Sequence, residues 1–220
     1  MDKYFNEFLV AEQFGPIIAS SPLNDAVDNY FSGKLPNRLL RYWREYGFAG
    51  FAQGLFWTVN PNDYQDLLDN WLTHTRLWER ENFYVIARSA FGELYIRGDK
   101  SNSTTVIDPH LNTILPGDVE NLPPTYEQQE RGAGIFFEIK NKEYVDYDDQ
   151  SNKGLFQRCL KKYGMLEQDE MYTFSTPLAL GGSADINNIK KVKILEQLSI
   201  LRDIDTPIIL SSTAELFGFS

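Results

Sequence analysis

The 220-residue chain is poor in the groups that do metal and redox chemistry, with one cysteine and two histidines. Cys159 has no partner for an intrachain disulfide, and one thiol cannot build a cysteine-based metal site within a single chain. His74 and His110 lie in different elements and lack HxxxH or HxxE spacing, so they do not read as a zinc site. There is no G-x-S-x-G elbow, no Walker A loop and no dinucleotide fingerprint. No apolar run reaches the roughly 20 residues that span a bilayer. The opening MDKYFNEFLV is mixed in charge and lacks the cleavage site of a signal peptide. The expectation is a cytoplasmic protein with no membrane contact, no cofactor, no metal and no catalytic residues. Base is also scarce: 21 Lys and Arg face 31 Asp and Glu, for a net charge of −10. That balance disfavours a nucleic-acid partner, whose phosphates want a basic patch. It favours a basic protein partner, although acidity also serves solubility alone.

What is present suffices for a large core, since 42% of residues are hydrophobic and 14% aromatic. Leu23, Ala26, Val27, Tyr30 and Phe31 repeat at helical spacing and are stopped by Gly33. Leu39, Leu40, Trp43 and Tyr46 form a second stripe, from Pro36 to Gly47. Asn60-Pro61 opens a third helix with Tyr64, Leu67, Leu68, Trp71 and Leu72 inward, and His74 is expected to close it. The Gly-rich, aromatic GFAGFAQGLFWTV between them reads as a turn entering a strand at Leu55 to Val59. From Phe83 the period becomes two. FYVIARS and ELYIRG flank Phe91-Gly92 as a hairpin, and TTVID and NTILP extend it into an antiparallel meander.

Pro123-Pro124 breaks the chain, and a helix is expected around Ile135 to Val145. Leu155, Phe156, Cys159, Leu160 and Tyr163 make another helix, ended by Gly164. MYTFSTPLALGG reads as a strand and loop. A closing helix is expected from Ile189 to Arg202, with Val192, Leu195 and Leu198 inward. The fold class is α+β, in two small halves that each pack helices on a short antiparallel sheet. The expected division is 1–116, an acidic connecting segment at 117–150, and 151–220.

Tyr42, Trp43, Tyr46, Phe48, Phe51, Phe56 and Trp57 crowd together and read first as core, because aromatics bury large areas; the minority reading turns some of them toward a partner. Residues 118–149 carry nine acids, including Asp118 and Glu120, against three bases, a net of −6, whereas residues 150–220 balance. Partner recognition is therefore expected there, at Glu138, Glu143, Asp146, Asp148 and Asp149; a solvated face is the bland alternative. YVDYDDQSN lacks the Gly and Glu of a calcium loop. Asp169 and Glu170 are sequence neighbours and show no sign of converging for acid–base work.

Two longer runs resemble known families. LPNRLLRYWREYGFAGFAQGLFWTVNPNDYQDLLDNWL is similar to the GAD-like domain, with its LP, its W…E-x-G helix end, its G-L-F-W and its N-P-x-x-Y. LFQRCLKKYGMLEQDEMYTFSTPLALGGSADINNIKKVKILEQLSIL resembles the C-terminal domain of type VI secretion DNase-immunity proteins, with D-E-M-Y-x-F and P-x-L-A-L-G-G. Glu196-Gln197-Leu198 replaces the more usual Glu-His-Leu, and Tyr163-Gly164 replaces Leu-Gly. The resemblance implies a non-catalytic cytoplasmic immunity protein that binds and neutralises a cognate secreted toxin, a DNase. A binding module for a small ligand or a regulatory partner is the alternative, and an enzyme using Asp169 and Glu170 a third.

Overall fold

The computed structural model describes residues 2–117 and 123–211; Asp118 and Glu120 lie outside them. In chain order the elements begin with α1 (Lys3–Asn6), β1 (Ala19–Ser21), α2 (Asp25–Phe31), α3 (Asn37–Tyr46), β2 (Phe48–Phe51), β3 (Phe56–Thr58) and α4 (Gln65–Leu72). The meander follows as β4 (Phe83–Ser89), β5 (Leu94–Gly98), β6 (Thr104–Asp108) and β7 (Thr113–Leu115). Then come α5 (Tyr126–Glu138), α6 (Lys142–Val145), α7 (Phe156–Tyr163), β8 (Glu170–Phe174), β9 (Ile189–Lys193), α8 (Ile194–Arg202) and β10 (Ile208–Ile209). The class is α+β.

Strands β1 to β7 lie side by side in chain order, all antiparallel, and β10 returns to pair in parallel with β7. β8 and β9 form a separate antiparallel pair. The first sheet is thus longer than the meander alone, because Phe48–Phe51, expected as a turn, is the strand β2. Its four residues are all buried, and its Gly50 faces Trp57 of β3. A Cβ at Gly50 would stand 2.8 Å from the Trp57 ring, so the glycine is the room the indole occupies. Alternation along β3 sends Phe56 and Trp57 to opposite faces. Phe56 meets Phe8, Phe14 and Phe137, whereas Trp57 lies under the guanidinium of Arg88 at 4.9 Å.

Helices α1, α3 and α5 pack together through Phe5, Tyr42 and Phe137. A polar knot reinforces the seam: Asp2 accepts from the Tyr42 hydroxyl at 2.7 Å and pairs with Arg38 and Arg41. α3 begins at Pro36 without a side-chain cap; the Glu130 carboxylate of α5 accepts from the Arg38 amide at 2.8 Å instead. α5 starts with a reciprocal Thr125–Gln128 capping box. The β8–β9 pair docks on the β4–β5 turn, where the Tyr172 amide donates to Ala90 O at 2.9 Å. Buried side chains from both ends of the chain form one continuous core.

Several local expectations change. Ile189–Lys193 is a strand, not the first turn of the last helix, and Leu195 is 38% exposed, whereas Leu198 is buried. The apolar residues of IKKVK, Ile189 and Val192, lie three apart and do not decide between helix and strand; the backbone is taken by β8. The helix expected at Ile135 to Val145 is two helices, α5 and α6, and the first starts nine residues earlier, at Tyr126. His74 lies two residues beyond α4, in a left-handed conformation at φ +67°. Trp43, Trp57 and Trp71 are fully buried, and Tyr42, Phe48, Phe51 and Phe56 are buried with them; Tyr46 is half-buried against them, so six of the seven clustered aromatics are core.

Candidate functional site

The acidic stretch between α6 and α7 is a tight loop in which carboxylates replace regular secondary structure. Asp146 turns back on the chain: its Oδ1 accepts from the Tyr147 amide at 2.7 Å and from the Phe156 amide at 2.9 Å. The second bond satisfies the first residue of α7, which has no cap of its own. Burial pushes the Asp146 carboxyl up to about 6, against these hydrogen bonds. Asp148 bridges to Gly154 across the loop. Asp149 accepts from the Ser151 and Lys153 amides at 2.8 and 3.2 Å and pairs with Arg158, whose hydrogen bond holds its carboxyl below the usual range.

Of the five acids expected to meet a partner, Glu143, Asp146 and Asp148 come together around a cleft of about 380 Å³, with Lys142, Leu55, Asn152 and Gln157. Glu138, half-buried on the last turn of α5, is not in that cleft, and Asp149 turns to Arg158. Only Glu143 and Asp148 of the five are exposed. The sequence marks the charge, but not which oxygens the loop itself consumes. Among the described residues no group of three or more His, Cys, Asp and Glu side chains is placed to hold a metal ion. No helix among them is long and apolar enough to cross a membrane.

Asp146 and Asp148 should therefore behave differently. Asp146→Ala is expected to cost about 1–2 kcal/mol, the size of a lost helix cap. Asp148→Ala should stay within about 0.5 kcal/mol, as an exposed change does. Urea unfolding of the two variants checks this, and equal midpoints would contradict the capping role.

Two other places escaped the sequence reading, because their residues come from distant segments. A cleft of about 670 Å³ opens between residues 21–64 and residues 167–196. Gln168 ties its two walls: it accepts from the Ser21 hydroxyl at 2.6 Å, donates to Phe48 O at 3.3 Å, and its carbonyl accepts from Arg88 at 2.8 Å. A half-buried acid–base pair, Glu93 just before β5 and Lys140 just after α5, lies against the aromatic core. Lys140 Nζ sits 4.0 Å from the Tyr95 ring and 4.3 Å from that of Phe136. Burial lowers Lys140 to about 8 and raises Glu93 to about 7, each partly offset by the other's charge.

Comparison with known proteins places two families on the chain. The GAD-like domain matches residues 3–111, and the C-terminal domain of the type VI secretion system immunity protein Tdi1 matches residues 131–205. No curated protein matches. Among solved structures, the crystal structure of Atu4351 from Agrobacterium tumefaciens superposes with a TM-score of 0.83. It is 24% identical, and the match covers 95% of this chain and 92% of that one. At that identity the likeness shows the fold.

Proposed function

We infer that this chain, which joins a GAD-like domain to the C-terminal domain of Tdi1-type immunity proteins, is a stoichiometric inhibitor of a secreted toxin. It acts by binding rather than turnover, in the cytoplasm of the cell that makes the toxin, and the toxin is a nuclease. The observation that carries this is the immunity-domain match over residues 131–205. The net charge of −10 supports the choice of a nuclease. An enzyme that binds nucleic acid presents a basic groove to phosphate, and opposite fields speed encounter between two proteins.

The division into 1–116, 117–150 and 151–220 is part of the proposal, with the middle segment supplying the acids that meet the toxin. Glu143 and Asp148 are its exposed contributors, beside Glu138; Asp146 and Asp149 shape the loop that presents them.

The test is co-expression with the product of the neighbouring gene, followed by a DNase assay of the purified proteins. A one-to-one complex and loss of nuclease activity at equimolar inhibitor are expected; full activity with the inhibitor in excess would refute the reading. The charge contribution is read separately. Glu143→Gln with Asp148→Asn should slow association several-fold at low salt and leave dissociation nearly unchanged. An unchanged association rate and salt slope would remove the loop from the interface.

A further inference from the structure

The cleft between residues 21–64 and 167–196 shares no residue with the acidic loop, and its composition is uneven. Phe48, Val59, Tyr64 and Ile194 give it an apolar lining, and all four are buried. Its charged groups are Asp63, Glu167, Asp169, Glu196 and Lys193. Lys193 is committed to Asp169 at 2.6 Å. Among the described residues Asp63 accepts from the Asn60 side-chain amide alone, at 3.1 Å. Glu167 and Glu196 are exposed, and among the described residues their carboxylates take part in no hydrogen bond or ion pair. Among the described residues Asp63 and Glu167 thus have no cation beside them, and Glu196 shares the field of Lys193 with Asp169, so four carboxylates and one ammonium surround an apolar hollow. Burial raises the Asp63 carboxyl, as expected for a charge with no compensating cation.

We propose that this cleft is a docking groove for a basic segment of the bound toxin, with the apolar lining holding a Lys or Arg stem and Asp63, Glu167 and Glu196 receiving the cationic head. The chemistry of a long basic side chain matches both parts, since its methylenes bury on apolar surface while its charge stays at the rim. Arginine fits best, because its planar guanidinium can donate to two carboxylates at once. The volume of about 670 Å³ is enough to admit a long side chain in a cleft that stays open on one side. The groove would engage both family segments at once, because its walls come from one and the other.

The identity of the occupant rests on the inhibitor reading, so the experiment separates the two. Affinity for the product of the neighbouring gene is measured by calorimetry for the natural protein, for Glu167→Gln with Glu196→Gln, and for Leu195→Arg. Leu195 lines the cleft and is 38% exposed, so the last change sets a like charge against an incoming cation without disturbing the core. Each variant should bind at least tenfold more weakly and melt at the natural temperature. A photocrosslinker on Leu195→Cys can be attached selectively, since Cys159 is buried, and should capture a toxin peptide containing Arg or Lys. Tight binding by all three proteins, or capture of a peptide without basic residues, overturns the groove and leaves the inhibitor reading standing. No binding by the natural protein overturns both.

Discussion

Trp57→Ala is expected to lower the unfolding free energy by about 3–5 kcal/mol, the range for truncating a large core aromatic. The ring is fully buried, and its Nε1–H donates to Gly54 O at 2.8 Å. It also fills the space above Gly50 on the neighbouring strand, which has no side chain of its own to take up the vacated volume; Ile18 is the neighbour beside it. Its loss would strip one face from Arg88, a fully buried cation whose Nε already has no hydrogen-bond partner. With domain stabilities of about 5–15 kcal/mol, such a loss threatens folding outright. Urea unfolding measures it. An unchanged midpoint accompanied by loss of toxin binding would mean that the indole belongs to the interface, the minority reading of the aromatic cluster.

His110→Gln is expected to change how stability depends on pH by about 3 kcal/mol between pH 7 and pH 4. His110 is fully buried; its Nε2 lies 2.9 Å from Phe91 O, and its Nδ1 has no partner. Because a carbonyl can only accept, Nε2 carries the hydrogen and Nδ1 is bare. Protonation would bury an N–H with nothing to receive it. Burial accordingly lowers the folded value to about 4 from 6.5, against the pull of Asp108. A depressed value means that the contribution is full above pH 6.5 and is lost as pH falls toward 4, at about 1.4 kcal/mol per unit. Glu93 works in the opposite direction: its value is raised to about 7 from 4.5, so its contribution is full below 4.5 and is lost as pH rises through 7. The natural protein's own curve mixes the two, and the differences from His110→Gln and Glu93→Gln separate them. The two difference curves should slope in opposite senses; parallel curves would remove both assignments.

The helices and the meander were legible because each has one buried face and a residue that stops it. Leu39, Leu40 and Trp43 repeat at helical spacing before Gly47, and the run from Phe83 to Ser89 is β-branched and aromatic between turn residues. What stayed hidden depends on partners far along the chain. Phe48–Phe51 reads as a turn on local propensity, since Gly50 makes sense only once Trp57 stands opposite it. Ile189–Lys193 has apolar residues that fit a helix as well as a strand, and the pairing with β8 decides. At the candidate site, charge counting located the acidic loop but could not tell Asp146, bonded ten residues ahead to Phe156, from exposed Asp148. The larger cleft gave no signal, because its walls come from segments more than a hundred residues apart, tied by Gln168 and its contacts.

The parallel pairing of β10 with β7 puts a clock on synthesis. β7 leaves the ribosome some 90 residues before Ile208 and Ile209, which at about 5–20 residues per second is a delay of about 5–20 s. Throughout that interval the outer edge of β7 presents unpaired Thr113 and Ile114 backbone, with exposed Leu111 and Leu115 beside it. A bare edge of that kind recruits strands from other chains. Crowded polysomes are therefore where β7 is open to strands from other chains, and slowing translation after residue 117 would lengthen the exposure.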